Sequence, residues 1–176
     1  MSASKLPSID VLRQLFTYDP SSGVLSWRYR ALAAKEWNTR YANKPAGAVK
    51  RKRDGRPTGI SVDIKGTPFL AHRLIWGLIH GELSVELEVD HRDCNPLNNR
   101  LDNLRLANNN QQQQNARVLR KTTTGIKGVR FHRGKFQAQI KHNRVSRHLG
   151  TFNTAEQAKA AYDAAASELF GEFARA

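Results

Sequence analysis

Cysteine is nearly absent from this sequence, with Cys94 the single example in 176 residues. One thiol excludes an intrachain disulfide and any zinc site built on several thiolates, so no structural zinc is expected. Long apolar runs are missing too. None approaches the roughly 18 to 20 residues that span a bilayer, and Met1-Ser2-Ala3-Ser4-Lys5 lacks the apolar stretch of a secretory signal. The sequence therefore reads as a cytoplasmic protein, neither secreted nor membrane-bound. Acidic residues are the third shortage: 29 Lys and Arg stand against 15 Asp and Glu, a formal charge of +14. So large a surplus on so small a chain repels itself unless a polyanion is near, which points to nucleic acid as partner.

What is present divides into three regions. A hydrophobic content of 39% suits two small cores better than one. Ile9, Leu12, Leu15 and Phe16 recur at helical spacing behind Ser8, an N-cap residue. A turn at Asp19 to Gly23 leads into a strand at Val24 to Arg28. From Ala31 to Arg56 the sequence reads as irregular and basic, ending in Lys50-Arg51-Lys52-Arg53-Asp54-Gly55-Arg56. That run is either a solvated loop or a backbone-phosphate contact.

In the middle region Ile60, Val62 and Ile64 alternate as in a half-buried strand, closed by a turn at Lys65-Gly66. Phe69, Leu70, Leu74, Ile75, Leu78 and Ile79 predict an apolar helix with Gly81 near its C-cap. Strands are expected at Leu87 to His91 and Leu104 to Leu106, and a helix from Asn108 to Val118. After a hinge near Arg120 to Gly125, the stretch 120 to 150 holds nine Lys or Arg and no acid. Three short strands are expected there, at 129–132, 136–141 and 144–152. Thr154 and Gln157 then open an alanine-rich helix with capping-box spacing.

The densest chemistry lies between His72 and Asn115. Hydrolysis of a phosphodiester needs an activated water and something to neutralise charge at the scissile phosphate. A His beside a carboxylate can supply both, the imidazole as base and the carboxylate as oxygen ligand for a hard cation. Asp90-His91 is such a pair, with Asn95, Asn98, Asn99 and Asn103 crowding the loop behind it. By itself the dipeptide is weak, since most such pairs are surface hydrogen-bonding pairs. His72, alone on an apolar helix, is by its type more often a satisfied core residue than a catalyst.

The wider pattern is more specific. His72-Arg73-Leu74-Ile75-Trp76, and the run from Val89 through Asp90-His91, Asn98-Asn99 and Asn103-Leu104-Arg105, resemble the phage HNH endonuclease family. The opening Tyr18-Asp19-Pro20 to Leu25, then Trp27, is similar to openings seen there. The resemblance runs from about Leu12 to Asn115. It implies a ββα hairpin and helix gripping one divalent metal ion, Mg2+ or Mn2+, with a core at about 85–118. By that resemblance His91 is the general base, Asp90 a metal ligand, and Asn103 the residue that holds the loop and orients the hairpin; His72 is given a structural or phosphate-contacting role. Two positions depart from the pattern. Gln112 stands where a second ligand, normally Asn, would lie, and its extra methylene displaces a donor that magnesium places strictly. Cys94 replaces the usual Gly, which implies a strained turn or a different backbone conformation.

The C-terminal stretch also reads on pattern. Val129, Phe131, Phe136, Ala138, Ile140, Val145 and Leu149 are expected on one face, against Ala158, Ala161, Tyr162 and Ala165 of the helix. The other face presents guanidinium and amide groups, which major-groove base edges accept. Thr124 to Arg130, Phe136 to Ile140, Leu149 to Ala158 and Ala161-Tyr162-Asp163 resemble the plant ethylene-response-factor (APETALA-two type) domain over Thr122 to about Phe173. That likeness implies three strands in the major groove, with Arg130, His132, Arg133, Gln137, Gln139, Lys141, Arg144 and His148 facing bases or phosphates. The plant domain's tryptophans are absent from this surface, so its target preference does not carry over.

The expectation is thus an α+β chain of two parts: residues 1–119 a nuclease module with an N-terminal extension, and 120–176 a three-stranded sheet on one helix that binds double-stranded DNA. The resemblance implies a phage or mobile-element setting, as in homing endonucleases, inside a bacterial or phage-infected cell. Two other readings remain open: a weakened HNH protein that only binds DNA, and an RNA-binding module.

Overall fold

The structure is a computed structural model and describes residues 5–83, 86–108, 110–112, 123–143 and 145–174. Two compact units divide between Ala107 and Asn108. The greater part of the expected helix from Asn108 to Val118, part of the expected hinge and Arg144 lie outside the described residues.

The first unit opens with α1 (Ile9–Leu15), whose first turn is capped by the Ser8 hydroxyl accepting from the Val11 N–H. A hairpin follows, β1 (Phe16–Asp19) and β2 (Val24–Trp27), and then α2 (Lys35–Tyr41). A three-stranded antiparallel sheet of β3 (Ala48–Arg51), β4 (Pro57–Ile64) and β5 (Thr67–Leu70) leads into α3 (Ala71–His80). The unit closes with a second hairpin, β6 (Glu88–His91) and β7 (Leu104–Ala107).

Helix α3 organises this unit. Ala71, Leu74, Ile75 and Leu78 recur at helical spacing and are buried, in one cluster with Leu12, Phe16, Leu25, Val62, Val89 and Leu104. Each fully buried aliphatic side chain contributes about 1.5–3 kcal/mol of transfer free energy. Val89 and Leu104 come from β6 and β7, so the second hairpin is fixed to the same core as α1 and α3.

Two expectations are corrected here. Phe69 and Leu70 are not helical; they end β5, paired with Val62 and Ser61, and the helix begins at Ala71. Their apolar character serves a strand as well as a helix, and periodicity alone cannot separate short apolar runs. Nor is Ala31 to Arg56 irregular. It contains α2 and β3, because Trp37 packs edge-on against Trp27 at 5.5 Å and carries the Arg30 guanidinium 3.6 Å above its ring. Asn38 adds a two-way clamp, accepting from the Arg30 N–H and donating to its carbonyl.

The second unit holds β8 (Val129–His132), β9 (Lys135–His142) and β10 (Val145–Phe152), antiparallel in the order β10-β9-β8, and then α4 (Ala155–Phe170). Thr154 caps α4 by accepting from the Gln157 N–H at 3.3 Å. Val129, Ala138 and Ala158 form the small core, with Ile126, Phe136, Leu149, Phe152 and Ala161 packed on it. A register shift between His148 and Gly150 makes Leu149 the extra residue of β10. Two residues expected inside are not. Phe131 is 50% exposed and Val145 69%; Phe131 is next to the last residue of β8 and Val145 is the first of β10. Among the described residues no helix is long and apolar enough to cross a membrane.

Candidate active site

The β6–β7 hairpin sets four residue pairs: Glu88 with Ala107, Val89 with Leu106, Asp90 with Arg105, and His91 with Leu104. The connection between the strands runs from Arg92 to Asn103 and ends in a single 3-10 turn, Leu101–Asn103. Hydrogen bonds hold this long connection in shape. Asp93 is its hub. One carboxylate oxygen accepts from the Asn95 N–H at 2.7 Å and the Asn103 amide at 3.0 Å, and the other from the Asn98 amide at 2.8 Å. Burial works against this carboxylate, yet the bonds from Asn98, the Asn95 N–H and Asn103 outweigh it and hold its pKa below the usual range.

Asn103 ties both ends of the connection together. Its carbonyl oxygen accepts from the Asp93 N–H at 3.0 Å, its amide also donates to the Asn98 carbonyl at 2.7 Å, and its backbone oxygen accepts from the Arg92 N–H at 2.8 Å. Cys94 sits in the left-handed region at φ 57, the conformation a Gly would take, and its N–H donates to the His91 carbonyl at 3.0 Å. The turn thus keeps its shape and bears the strain of a Cβ there, about 1–2 kcal/mol for an ordinary L-residue.

His91 is buried and flanked on two sides. Its Nε2 lies 2.9 Å from Asn99 Oδ1. An amide oxygen only accepts, so this contact is a hydrogen bond in the tautomer that carries its proton on Nε2. Asn99 is 2% exposed, and the Tyr18 hydroxyl donates to its backbone carbonyl at 2.9 Å. The β1–β2 turn presses on the same place: at Gly23, with φ 74, a Cβ would stand 2.6 Å from the Arg100 nitrogen, so only Gly fits. On the other side the His72 ring meets His91 edge-on, centroids 4.8 Å apart. Burial, then the nearby His91 and Arg73, push the His72 pKa down to about 3. His72 is therefore neutral at physiological pH and adds no charge beside His91.

Asp90 pairs with Arg105 across the strands, Oδ2 to Nε at 3.1 Å, with both side chains largely buried. A carboxylate is a hard oxygen donor of the kind magnesium and manganese take, and the guanidinium fixes its orientation. Among the described residues no three His, Cys, Asp or Glu side chains gather as a metal cage. Gln112 lies in the second unit, in a helical turn at 110–112; its N–H donates to the Asn108 carbonyl at 3.0 Å and its side chain is half-buried.

Asp90, His91 and Asn103 thus come together in one hairpin. The other expected residues lie in the second unit. Arg130, His132, Gln139, Lys141 and His148 are exposed on the sheet, and Gln137 is half-buried there. Arg130 faces Gln137 across β8 and β9 and donates to its side chain at 2.9 Å, while Gln139 faces His148. Arg133 occupies the β8–β9 turn rather than a strand. Sequence reasoning missed Asn99, Tyr18 and Arg105 as parts of the site. Arg105 had a signal, since any pairing that opposes His91 to Leu104 opposes Asp90 to Arg105. Tyr18 stood in the family-like opening, but nothing in the sequence tied it to Asn99, 81 residues further on.

Comparison with known proteins places this hairpin in context. Residues 69–114 match the family described as HNH endonuclease. The chain is similar to the uncharacterized HNH endonuclease L560 of Acanthamoeba polyphaga mimivirus, 39% identical over 105 residues, 58% of this chain and 54% of that protein. It is also similar to Protein 3.8 of Escherichia phage T7, 36% identical over 85 residues, 44% of this chain and 70% of that protein. The chain therefore spans about half the length of the mimivirus relative. No solved structure matches.

Proposed function

We propose that this chain, whose residues 69–114 match the HNH endonuclease family, hydrolyses a phosphodiester of duplex DNA at the β6–β7 hairpin and grips that DNA through its C-terminal sheet. The observation that carries this reading is the bond from His91 Nε2 to Asn99 Oδ1. It commits the neutral imidazole to one tautomer, with Nδ1 as the atom that takes a proton from the attacking water. His72, kept neutral by burial, adds no charge beside His91, and Asn103 holds the connection that carries Asn99.

HNH nucleases generally use a divalent metal ion, which when bound offsets charge at the scissile phosphate and leaving oxygen. In this chain Asp90 would hold it, with Arg105 fixing the carboxylate; Gln112 is the expected second donor, and magnesium or manganese the expected ion. Residues 120–176, within the second unit, are proposed as a domain of the ethylene-response-factor type. Its exposed Arg130, Gln139, Lys141 and His148 offer donors and amides suited to base edges and phosphates. Arg144, expected on the same face, lies outside the described residues. Relatives in a giant virus and a bacteriophage support a phage or mobile-element role, as in homing endonucleases. The test is a supercoiled-plasmid nicking assay with magnesium and with EDTA. Nicking that needs the metal supports the reading, and an intact plasmid under both conditions contradicts it.

A further inference from the structure

We propose that the β3–β4 hairpin is a second DNA-binding surface, an arm of the first unit that holds the duplex backbone beside the cut. This rests on the nuclease reading only for where the cut lies; the affinity for a polyanion follows from the arm itself. Five cations, Lys50, Arg51, Lys52, Arg53 and Arg56, stand there against one acid, Asp54. All six side chains are exposed, and Arg56 is committed within the arm, reaching Asp54 at 2.6 Å. Arg51 donates to the Gly55 carbonyl at 2.9 Å. Lys50, Lys52 and Arg53 have no ion pair among the described residues.

The tip is built rather than slack. The Lys52 N–H donates to the Arg56 carbonyl and the Gly55 N–H to the Lys52 carbonyl, each at 2.9 Å, and the Thr58 hydroxyl donates to the Lys50 carbonyl at 3.1 Å. Charges fixed in this way lose less conformational entropy on binding than charges on a free loop. Every residue of β3 is exposed, which leaves this surface open to a ligand.

The arm is rooted at the catalytic connection. A Cβ on Gly59 would stand 3.9 Å from the Pro96 carbonyl oxygen and 3.5 Å from Leu70. Strand geometry gives about 3.3 Å per residue, so Arg53, six residues along the chain, reaches at most about 20 Å from that root. A duplex turn is about 34–36 Å. The arm therefore spans roughly half a turn and meets phosphates within about six base pairs of the scissile one. It is too hydrophilic to read a base step by insertion, so its ligand is the sugar–phosphate backbone, without sequence preference.

The test uses the full chain with EDTA present, so that binding is measured without cleavage. Lys50→Gln, Lys52→Gln and Arg53→Gln are combined, and binding to a duplex is followed across a salt series. With three phosphates no longer neutralised, the log–log salt slope should fall in magnitude by about 2.7. Hydroxyl-radical protection should vanish from one backbone segment within about six base pairs of the cut mapped with the parent. A second variant, Lys50→Arg, Lys52→Arg and Arg53→Lys, keeps the charges and should restore both slope and footprint. An unchanged slope and footprint in the glutamine variant would overturn the arm while leaving the nuclease reading standing. A parent that cleaves nothing yet shows the slope change would sink the nuclease reading and keep the arm.

Discussion

Asn99 Oδ1 lies 2.9 Å from His91 Nε2 in a buried setting, and the carbonyl of the same Asn99 receives the Tyr18 hydroxyl. In the proposed reaction Asn99 acts through His91, as a positioning residue. Asn99→Ala should lower metal-dependent nicking by about 10- to 100-fold, the range seen when a residue that orients a functional histidine is lost. Tyr18→Phe removes one neutral bond, worth about 0.5–1.5 kcal/mol, and should lower nicking by less than about tenfold. Rates equal to the parent for Asn99→Ala, with the fold intact by circular dichroism, would remove Asn99 from this role.

The pairing of Asp90 with Arg105 joins activity to stability. Removing one partner of a buried pair leaves the other charge uncompensated, at a cost of about 3–5 kcal/mol. Asp90→Ala should therefore shift the urea midpoint down markedly as well as abolish nicking. Asp90→Ala combined with Arg105→Leu should recover much of the stability and none of the activity. A single variant as stable as the parent would mean that the ion pair is not the constraint described.

His72 gives a pH dependence with a definite sign. Its folded pKa, about 3, lies below the unfolded value near 6.5. The unfolded state thus binds the extra proton first as pH falls, and stability drops from about pH 6.5 toward 3. The slope approaches about 1.4 kcal/mol per pH unit. His72→Phe should flatten the loss between about pH 6.5 and 4.5, read from urea unfolding at each pH. Parallel curves for parent and variant would contradict the burial of a neutral imidazole.

Much of this arrangement is written locally. Leu74, Ile75 and Leu78 at helical spacing mark α3, Thr154 and Gln157 mark the start of α4, and Asp90-His91 falls at the end of a strand as expected. What depends on distant segments is not. Helix α2 exists because Trp37 meets Trp27 and Asn38 clamps Arg30, an arrangement that no periodicity encodes. Phe69 and Leu70 satisfy either a strand or a helix, and pairing with β4 decided for the strand. Asn99 looks like any other amide of a polar loop until Tyr18, far earlier in the chain, is folded against it. Phe131 and Val145 alternate correctly along their strands, yet both stand exposed near strand ends.

Gln112 separates an enzyme from a binder. If it is the second metal ligand, its extra methylene misplaces the amide oxygen, and Gln112→Asn should raise magnesium-dependent nicking by at least about tenfold, that is about 1.4 kcal/mol of barrier. Manganese should partly rescue the parent. Equal rates and equal metal dependence across a magnesium titration would show that Gln112 is not a ligand.

The central claim is that His91 is the base of a nuclease whose grip on DNA lies elsewhere in the chain. His91→Ala, compared with the parent on one cleavable duplex, tests it most directly, with nicking and binding measured on the same preparations. Loss of a general base lowers rate by about 10²–10⁴-fold, so the variant should lose nicking to that degree and bind the duplex within a few-fold of the parent. Nicking at the parent's rate by His91→Ala would contradict the account.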